Sequence, residues 1–353
     1  MSRAVLEALV RDGEVVTQQQ NFAGARLSGA DLSGGICEGV DFSGADLSGA
    51  NFREAIVMKA RFDGADLGNA DLTHASFIEC SFVQARFTGA RTVTMNAIQC
   101  DLTGATLRGC DLTESRMMET VLVGASFAEA NCGRLAVAKC DTRRLDLSGA
   151  NLEGGVIIGA DFTSVPLDGA RFFRTVLMQS NFAGRDLSGM GFPACQLMEC
   201  DLSGCNLARA NLHQAGLLKA KLDRACLDGA NLTQAVLMEA ALPGATLRGA
   251  DLSNAILSGA DLSEADLTGA RLYQAICVGM VATRARFTQC DMTYADLSHA
   301  RLDGADLSGA TLFRANLHEV QHQGAAIPNR GQALSPDPHR VQAERWQDRW
   351  RTA

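Results

Sequence analysis

A solenoid is the fold to expect of this 353-residue chain, on three regularities. From Phe22 to Leu317 every fifth residue, without insertion or deletion, falls in one mainly apolar register, 48 of its 60 positions Leu or Phe. Two residues before each stands a small side chain, usually Ala. Turn-forming Ser-Gly, Asp-Gly and Thr-Gly pairs close many of the units, as in the run from Ala45 to Gly49. A period of five matches neither the 3.6 of a helix nor the 2.0 of a strand, and turns recur too often for either. A unit this short buries its apolar residues only by stacking on its neighbours, so residues 21–320 read as one quasi-one-dimensional core.

The elements follow in chain order. Residues 1–20 hold a short helix, with Ser2 as N-cap, an apolar side from Ala4, Val5, Leu6, Ala8, Leu9 and Val10, and Gly13 as the stop. Its expected task is to cover the open first coil. Within the array, Cys37, Val57, Thr92, Ala97, Met117, Cys132, Val137, Thr142, Ile157, Cys277, Ala282 and Met292 replace Leu or Phe. Met95, Leu135, Leu145, Arg185, Met190 and Met280 put long side chains in the small slot. Local widening or bulges are expected where such volume changes enter a packed interior. Residues 321–338, with Pro328, Gly331, Pro336 and Pro338, read as a linker. Residues 339–353 read as a helical tail that sets Trp346 and Trp350, the two tryptophans of the chain, four apart on one side.

Twelve cysteines suggest a disulfide scaffold until they are placed on the register. Cys80, Cys100, Cys110, Cys140, Cys195, Cys200, Cys205 and Cys290 fill the small slot, Cys37, Cys132 and Cys277 the large one, and Cys226 neither. Core thiols acting as small hydrophobes are therefore expected, with no metal site. Reduced thiols, the absence of an export signal and the lack of any run long enough to span a membrane point to the cytoplasm. A formal charge of −8 argues against direct nucleic-acid binding.

The Ala-Asp-Leu-Ser runs at Ala45, Ala250, Ala260 and Ala305, the first and last followed by Gly, with Ala-Asn-Leu-Thr-Gln at Ala230, resemble the pentapeptide-repeat family. The resemblance covers most of the chain. It implies an all-β solenoid: a right-handed quadrilateral β-helix of about fifteen four-sided coils, here with short terminal helices. It implies no shared activity, although some members resemble DNA in shape and charge and bind type II topoisomerases. A weaker likeness lies at the end, where Thr311 to His318 and Asp337 to Trp346 resemble the ends of pentapeptide proteins that accompany bacterial type VI secretion components.

A second period, of twenty, runs across the first. Among residues that follow the large apolar position, one column reads Met58, Ile78, Ile98, Met118, Ala138, Ile158, Met178, Met198, Leu218, Met238, Ser258, Val278. Ile36, Ile56, Val156, Val176, Val236, Ile256 and Ile276 precede the large position on the same column, where Asp or Asn is standard. Twenty residues are four pentapeptides, which supports a four-sided coil without the family. An outward apolar band is either a contact surface or a β-rich side whose branched residues form ladders between rungs. The first reading is preferred, with Met58, Ile78, Ile98, Met118, Ile158, Met178, Met198, Leu218, Met238, Val278, Trp346 and Trp350 as the candidate partner-binding residues. The expected partner is another protein or a second copy of the chain, with DNA gyrase as the alternative; no membrane, cofactor, metal or catalytic residue is expected. His318 and His322 lack cysteine or carboxylate companions at ligand spacing. The sequence has neither a nucleophile elbow nor a phosphate-binding glycine loop.

Overall fold

The structure, a computed structural model, describes residues 1–334 and 342. It is an all-β parallel solenoid with one short helix, and most units follow one backbone rule. In the unit at Ala45, the Ala45 and Leu47 side chains are buried and Asp46 points out, bridging in parallel to Asp66, twenty residues on. Leu47 N donates to Asp66 O at 2.8 Å, and Asp66 N donates back to Ala45 O at 2.9 Å. Ala50 N donates to Leu47 O at 3.0 Å to close the turn. Asp46 Oδ1 accepts the Ser48 amide at 3.1 Å, so the outward Asp caps the turn that its own unit makes. The fifth residue is left-handed. Gly49 sits there at φ 66°, but Lys59 and Glu119 hold the same conformation at 54° and 52°. Such side chains cost roughly 1–2 kcal/mol against Gly, so the stacked ladder, rather than glycine alone, enforces the corner.

The chain divides into two compact units, Met1–Asn181 and Phe182–Ala353. In the first, helix α1 (Arg3–Arg11) precedes strands β1 (Val16–Thr17), β2 (Ile36–Glu38), β3 (Ile56–Met58), β4 (Ser76–Ile78), β5 (Asn96–Ile98), β6 (Arg116–Met118), β7 (Ala136–Ala138) and β8 (Val156–Ile158). They form one parallel sheet in sequence order, which marks about seven turns. Register advances by twenty residues at each step from β2, as in Cys37 opposite Val57; the first step is twenty-one, Val16 opposite Cys37. Behind the sheet, Phe22, Phe42, Phe62 and Phe82 stack with centroids 5.6, 5.1 and 4.7 Å apart. One rotamer repeated at each turn builds a continuous aromatic column.

Helix α1 stands in for a preceding coil. Leu6 is fully buried, and Val10 packs so closely on Gly35 that a Cβ there would come within 3.0 Å of it. Glu7 Oε1 accepts the Asp31 amide at 3.1 Å, a proton that later coils give to a backbone carbonyl, as Asn51 N gives to Ala30 O. Arg3 holds that carboxylate at 2.7 Å and donates to Ser28 O at 2.8 Å.

The irregular slots resolve in two ways. Met95 stands beside Ala97 and Met280 beside Ala282, so a long side chain in the small slot accompanies a short one in the large slot, and all four are buried. Interior volume is thereby conserved without a bulge. Thr92 and Thr142 use their hydroxyls instead. Thr92 Oγ1 donates to Asp111 O at 2.7 Å, while Thr142 Oγ1 donates to Asp161 O at 3.2 Å and accepts the Asp161 amide at 3.0 Å. Near Thr142 the expected widening is present as a narrow apolar void lined by Phe127, Leu135, Leu145, Leu152 and Phe162. Pro166 follows Val165 here, at a position whose amide elsewhere donates to the preceding coil, and it has no N–H to give.

The second unit keeps the twenty-residue bridges, from Asp186 opposite Asn206 to Asp306 opposite Ala326, over a core mostly of Leu and Ala. Arg185 is only half-buried and its charge helps hold the Asp186 carboxyl below the ordinary range, behind the Ser188 hydrogen bonds. Within the segment expected as a linker, Gln321 and Ala326 still bridge, and a short 3-10 turn (Arg330–Gln332) follows. There Arg314 N donates to Gln332 O and Leu334 N to Ala315 O, both at 2.9 Å. Residues 339–353, expected as the tail helix, lie outside the described residues apart from Gln342.

Candidate functional site

The apolar column coincides with the strands in the first unit. Met58 opposes Ile78, Ile78 opposes Ile98, Ile98 opposes Met118, Met118 opposes Ala138 and Ala138 opposes Ile158. The inter-rung ladder is thus real: β-branched and long side chains lie over one another at each turn and favour extended backbone. The ladder does not bury them. Ile36, Ile56, Met118 and Ile158 remain 40, 43, 43 and 37 % exposed, and Met58, Ile78, Ile98 and Met178 are half-buried. In the second unit Met238 and Ile276 are exposed at 38 and 42 %, and Met198, Leu218 and Val278 are half-buried. Trp346 and Trp350 lie outside the described residues.

Flanking charges sit at the left-handed corners. Glu119 accepts from Gln99 and is approached by Lys139 at 3.4 Å, which together hold its carboxyl below the usual range. Lys219 approaches Glu239 at 3.5 Å. Such exposed pairs contribute little stability. Their effect is to rim an apolar strip with alternating charge.

The cysteines are structural. Cys100, Cys110, Cys205 and Cys290 donate their thiols to Phe77 O, Phe87 O, Phe182 O and Leu267 O, each carbonyl lying twenty-three residues earlier. Ser115, Thr120 and Thr175 make the same bond with hydroxyls. A small polar side chain in the Ala slot therefore ties its coil to the one before. Burial pushes the thiols of Cys37, Cys132, Cys277 and Cys290 up to about 12, far from the thiolate that reactivity needs. No group of three or more metal-ligating side chains occurs among the described residues. His318 packs edge-on to His299 at 5.4 Å, while His322 meets the Arg330 guanidinium.

One surface feature escapes a column-wise reading. Tyr273, Tyr294 and Phe313 occupy three successive turns of the second unit with ring centroids 5.9 Å apart at each step, edge to face. Tyr294 is 42 % and Phe313 51 % exposed. Tyr294 occupies the left-handed corner, at φ 60°, whereas Tyr273 and Phe313 sit one place earlier, and this offset hides the ladder from any single column. The signal available was compositional: both tyrosines of the chain fall within twenty-two residues.

Fold and surface define a class, a parallel β-solenoid of five-residue units carrying an apolar strip of half-exposed side chains. A family profile for pentapeptide repeats matches residues 21–57, 58–91, 99–131, 195–234, 235–274 and 283–318, more than half of the chain. The chain belongs to the pentapeptide repeat family. No match was found among curated proteins. Among solved structures, a trypsin-treated form of QnrB1, a plasmid-mediated fluoroquinolone resistance protein, is 20% identical over 56% of this chain and 98% of its own, with a TM-score of 0.30. A pentapeptide repeat protein of the Arabidopsis thaliana thylakoid lumen is 32% identical over 33% of this chain and 68% of its own, at TM-score 0.21. HetL, involved in heterocyst differentiation regulation in the cyanobacterium Nostoc sp. strain PCC 7120, is 22% identical over 96% and 98%, at TM-score 0.16. No described helix is long and apolar enough to cross a membrane.

Proposed function

We propose that the protein is a non-catalytic scaffold or adaptor that binds a protein partner or a second copy of itself through the strand-bearing apolar strip. The carrying observation is the recurrence of half-exposed Met, Ile, Val and Leu at twenty-residue steps within each unit, a kind of surface that a partner covers. Methionine fits this role because its unbranched, polarizable chain adapts to different partners. Trp346 and Trp350 supply two further anchors, to a partner or to the chain itself. The right-handed, four-sided form of about fifteen coils belongs to the same reading, and the recurrent twenty-residue bridge step within each unit supports it. So does a place in the cytoplasm as an accessory of a type VI secretion system, where the partner is an effector or spike protein.

The rival reading is a DNA-mimicking binder of gyrase, which calls for dense uncompensated acid. Here guanidinium groups are interspersed among the outward carboxylates: Arg86 pairs with Asp66 at 3.0 Å, Arg134 with Glu114 at 2.8 Å and Arg248 with Asp266 at 2.9 Å. The scaffold is therefore preferred. Replacing Met118, Met178, Met198 and Met238 together by Ser is expected to abolish partner recovery or lower the mass in solution, with the circular dichroism spectrum unchanged. Unchanged recovery and mass would remove the strip from the account, and inhibition of gyrase supercoiling by the wild-type protein would favour the rival.

A further inference from the structure

From the exposed ladder of Tyr273, Tyr294 and Phe313 we infer that it is the resting site of the chain's own C-terminal segment, which lays Trp346 and Trp350 against these rings. The ladder is richer in aromatic surface than the repeat requires, since its positions normally carry small polar or charged residues. It also continues toward the point where the described chain ends. Arg314 N, beside Phe313, donates to Gln332 O one turn on, and Leu334, 47 % exposed, follows two residues later with its amide bonded to Ala315 O. The three rings make an aromatic track over three turns.

Guanidinium groups frame the track. Arg271 lies 5.7 Å from the Tyr273 ring centre, and Arg314 lies 5.7 Å from that of Tyr294. Arg271 has a loose carboxylate partner in Asp291 at 3.9 Å; Arg314 has none within ion-pair distance among the described residues. Rings with stacked Arg are the surface chemistry most enriched where aromatic anchors dock.

The segment that starts at Leu334 carries the complement. Residues 335–345 separate Leu334 from Trp346, a stretch that reaches roughly 36 Å when extended, at about 3.3 Å per residue. Three steps between stacked turns span only about 14 Å at about 4.8 Å each. Reach is therefore ample for either indole to meet any ring of the track. This assignment deepens the tail's part in the proposed function and does not depend on the strip, so each fails separately.

Both tryptophans lie in this segment, so the intrinsic fluorescence of the full chain reports its position directly. Emission shorter in wavelength than that of free tryptophan amide is expected, with weaker acrylamide quenching, both unchanged on dilution. The double variant Tyr294→Ser, Phe313→Ser should shift emission and quenching to those of free tryptophan amide, while Tyr294→Phe should keep the wild-type values. A thermal midpoint by circular dichroism establishes that the double variant is folded. Wild-type emission already equal to that of free tryptophan amide would overturn the assignment. So would a shifted emission indifferent to the double variant, which places the indoles elsewhere, or one lost on dilution, which places them on a second copy.

Discussion

Truncating the aromatic column tests the interior packing with a magnitude set by its geometry. Phe62 is fully buried and touches four rings: Phe42 and Phe82 stacked at 5.1 and 4.7 Å, and Phe52 and Phe77 edge-on at 6.0 and 5.9 Å. Phe22, equally buried, has Phe42 at 5.6 Å as its ring neighbour. Phe→Ala in a core costs about 3–5 kcal/mol, and an aromatic pair adds about 0.5–1.5 kcal/mol beyond its area. Phe62→Ala is therefore expected near or above the top of that range and Phe22→Ala near the bottom, a gap of about 1.5–4.5 kcal/mol from three extra rings. Urea unfolding followed by circular dichroism measures the totals. Site-resolved hydrogen exchange measures the spread, which should centre on the coils of Phe42, Phe62 and Phe82, because a solenoid transmits strain mainly to nearest neighbours. Equal costs for the two variants, or protection lost uniformly as far as Leu152, would refute the stacked-column account.

Other consequences are more local. Thr142→Val deletes a hydroxyl that donates to Asp161 O and accepts its amide, so a loss of about 1–3 kcal/mol is expected in urea unfolding despite the added methyl. An unchanged midpoint would show that the hydroxyl is incidental. With native protein at pH 8, a thiol reagent should modify Cys226 first, since it lies outside both core slots and is only half-buried, and all twelve cysteines only after unfolding; rapid reaction at Cys37 or Cys277 would contradict the packing. Glu7 has its carboxyl held below the ordinary range by Arg3 first and then by the Asp31 amide. A depressed folded-state pKa means that its stabilising effect is present above the unfolded value and is lost as pH falls through the lower folded one. The thermal midpoints of wild type and Glu7→Gln should thus differ at pH 7 and converge in acid; a gap that widens in acid would reverse the assignment.

The five-residue register was legible because each Leu or Phe must be buried and the stacked coil tolerates no slip in the sequence. Helix α1 was legible for the same reason, since Leu6 and Val10 have the spacing of an inward face. The twenty-residue step was readable from Met58 to Val278, and it coincides with the bridge step from β2 onward in the first unit and with that of the second unit. What the sequence concealed depends on atoms rather than pattern. A threonine in a leucine slot looked like a packing fault, but its hydroxyl reaches the next coil's carbonyl. A cysteine in an alanine slot looked like a neutral filler, yet Cys290 Sγ donates to Leu267 O at 2.9 Å. Left-handed corners occupied by Lys59 or Glu119 were masked by the many glycines around them. The candidate surface was legible as a column of residue types; that its first half forms a continuous strand ladder and still stays half-exposed required coordinates. The aromatic track at Tyr273, Tyr294 and Phe313 was missed because it steps between two positions of the repeat.

The most direct test of the scaffold reading places a photoreactive phenylalanine analogue, one variant at a time, at Met118, at Met238, and at Arg53 and Arg209 as exposed corner controls. After illumination in the producing cell, Met118 and Met238 are expected to yield one shared cross-linked species, either a second copy of the chain or a single protein, that neither arginine position yields. Equal cross-linking from all four positions, or none from the two methionine positions, would contradict the claim that the apolar strip is the working surface.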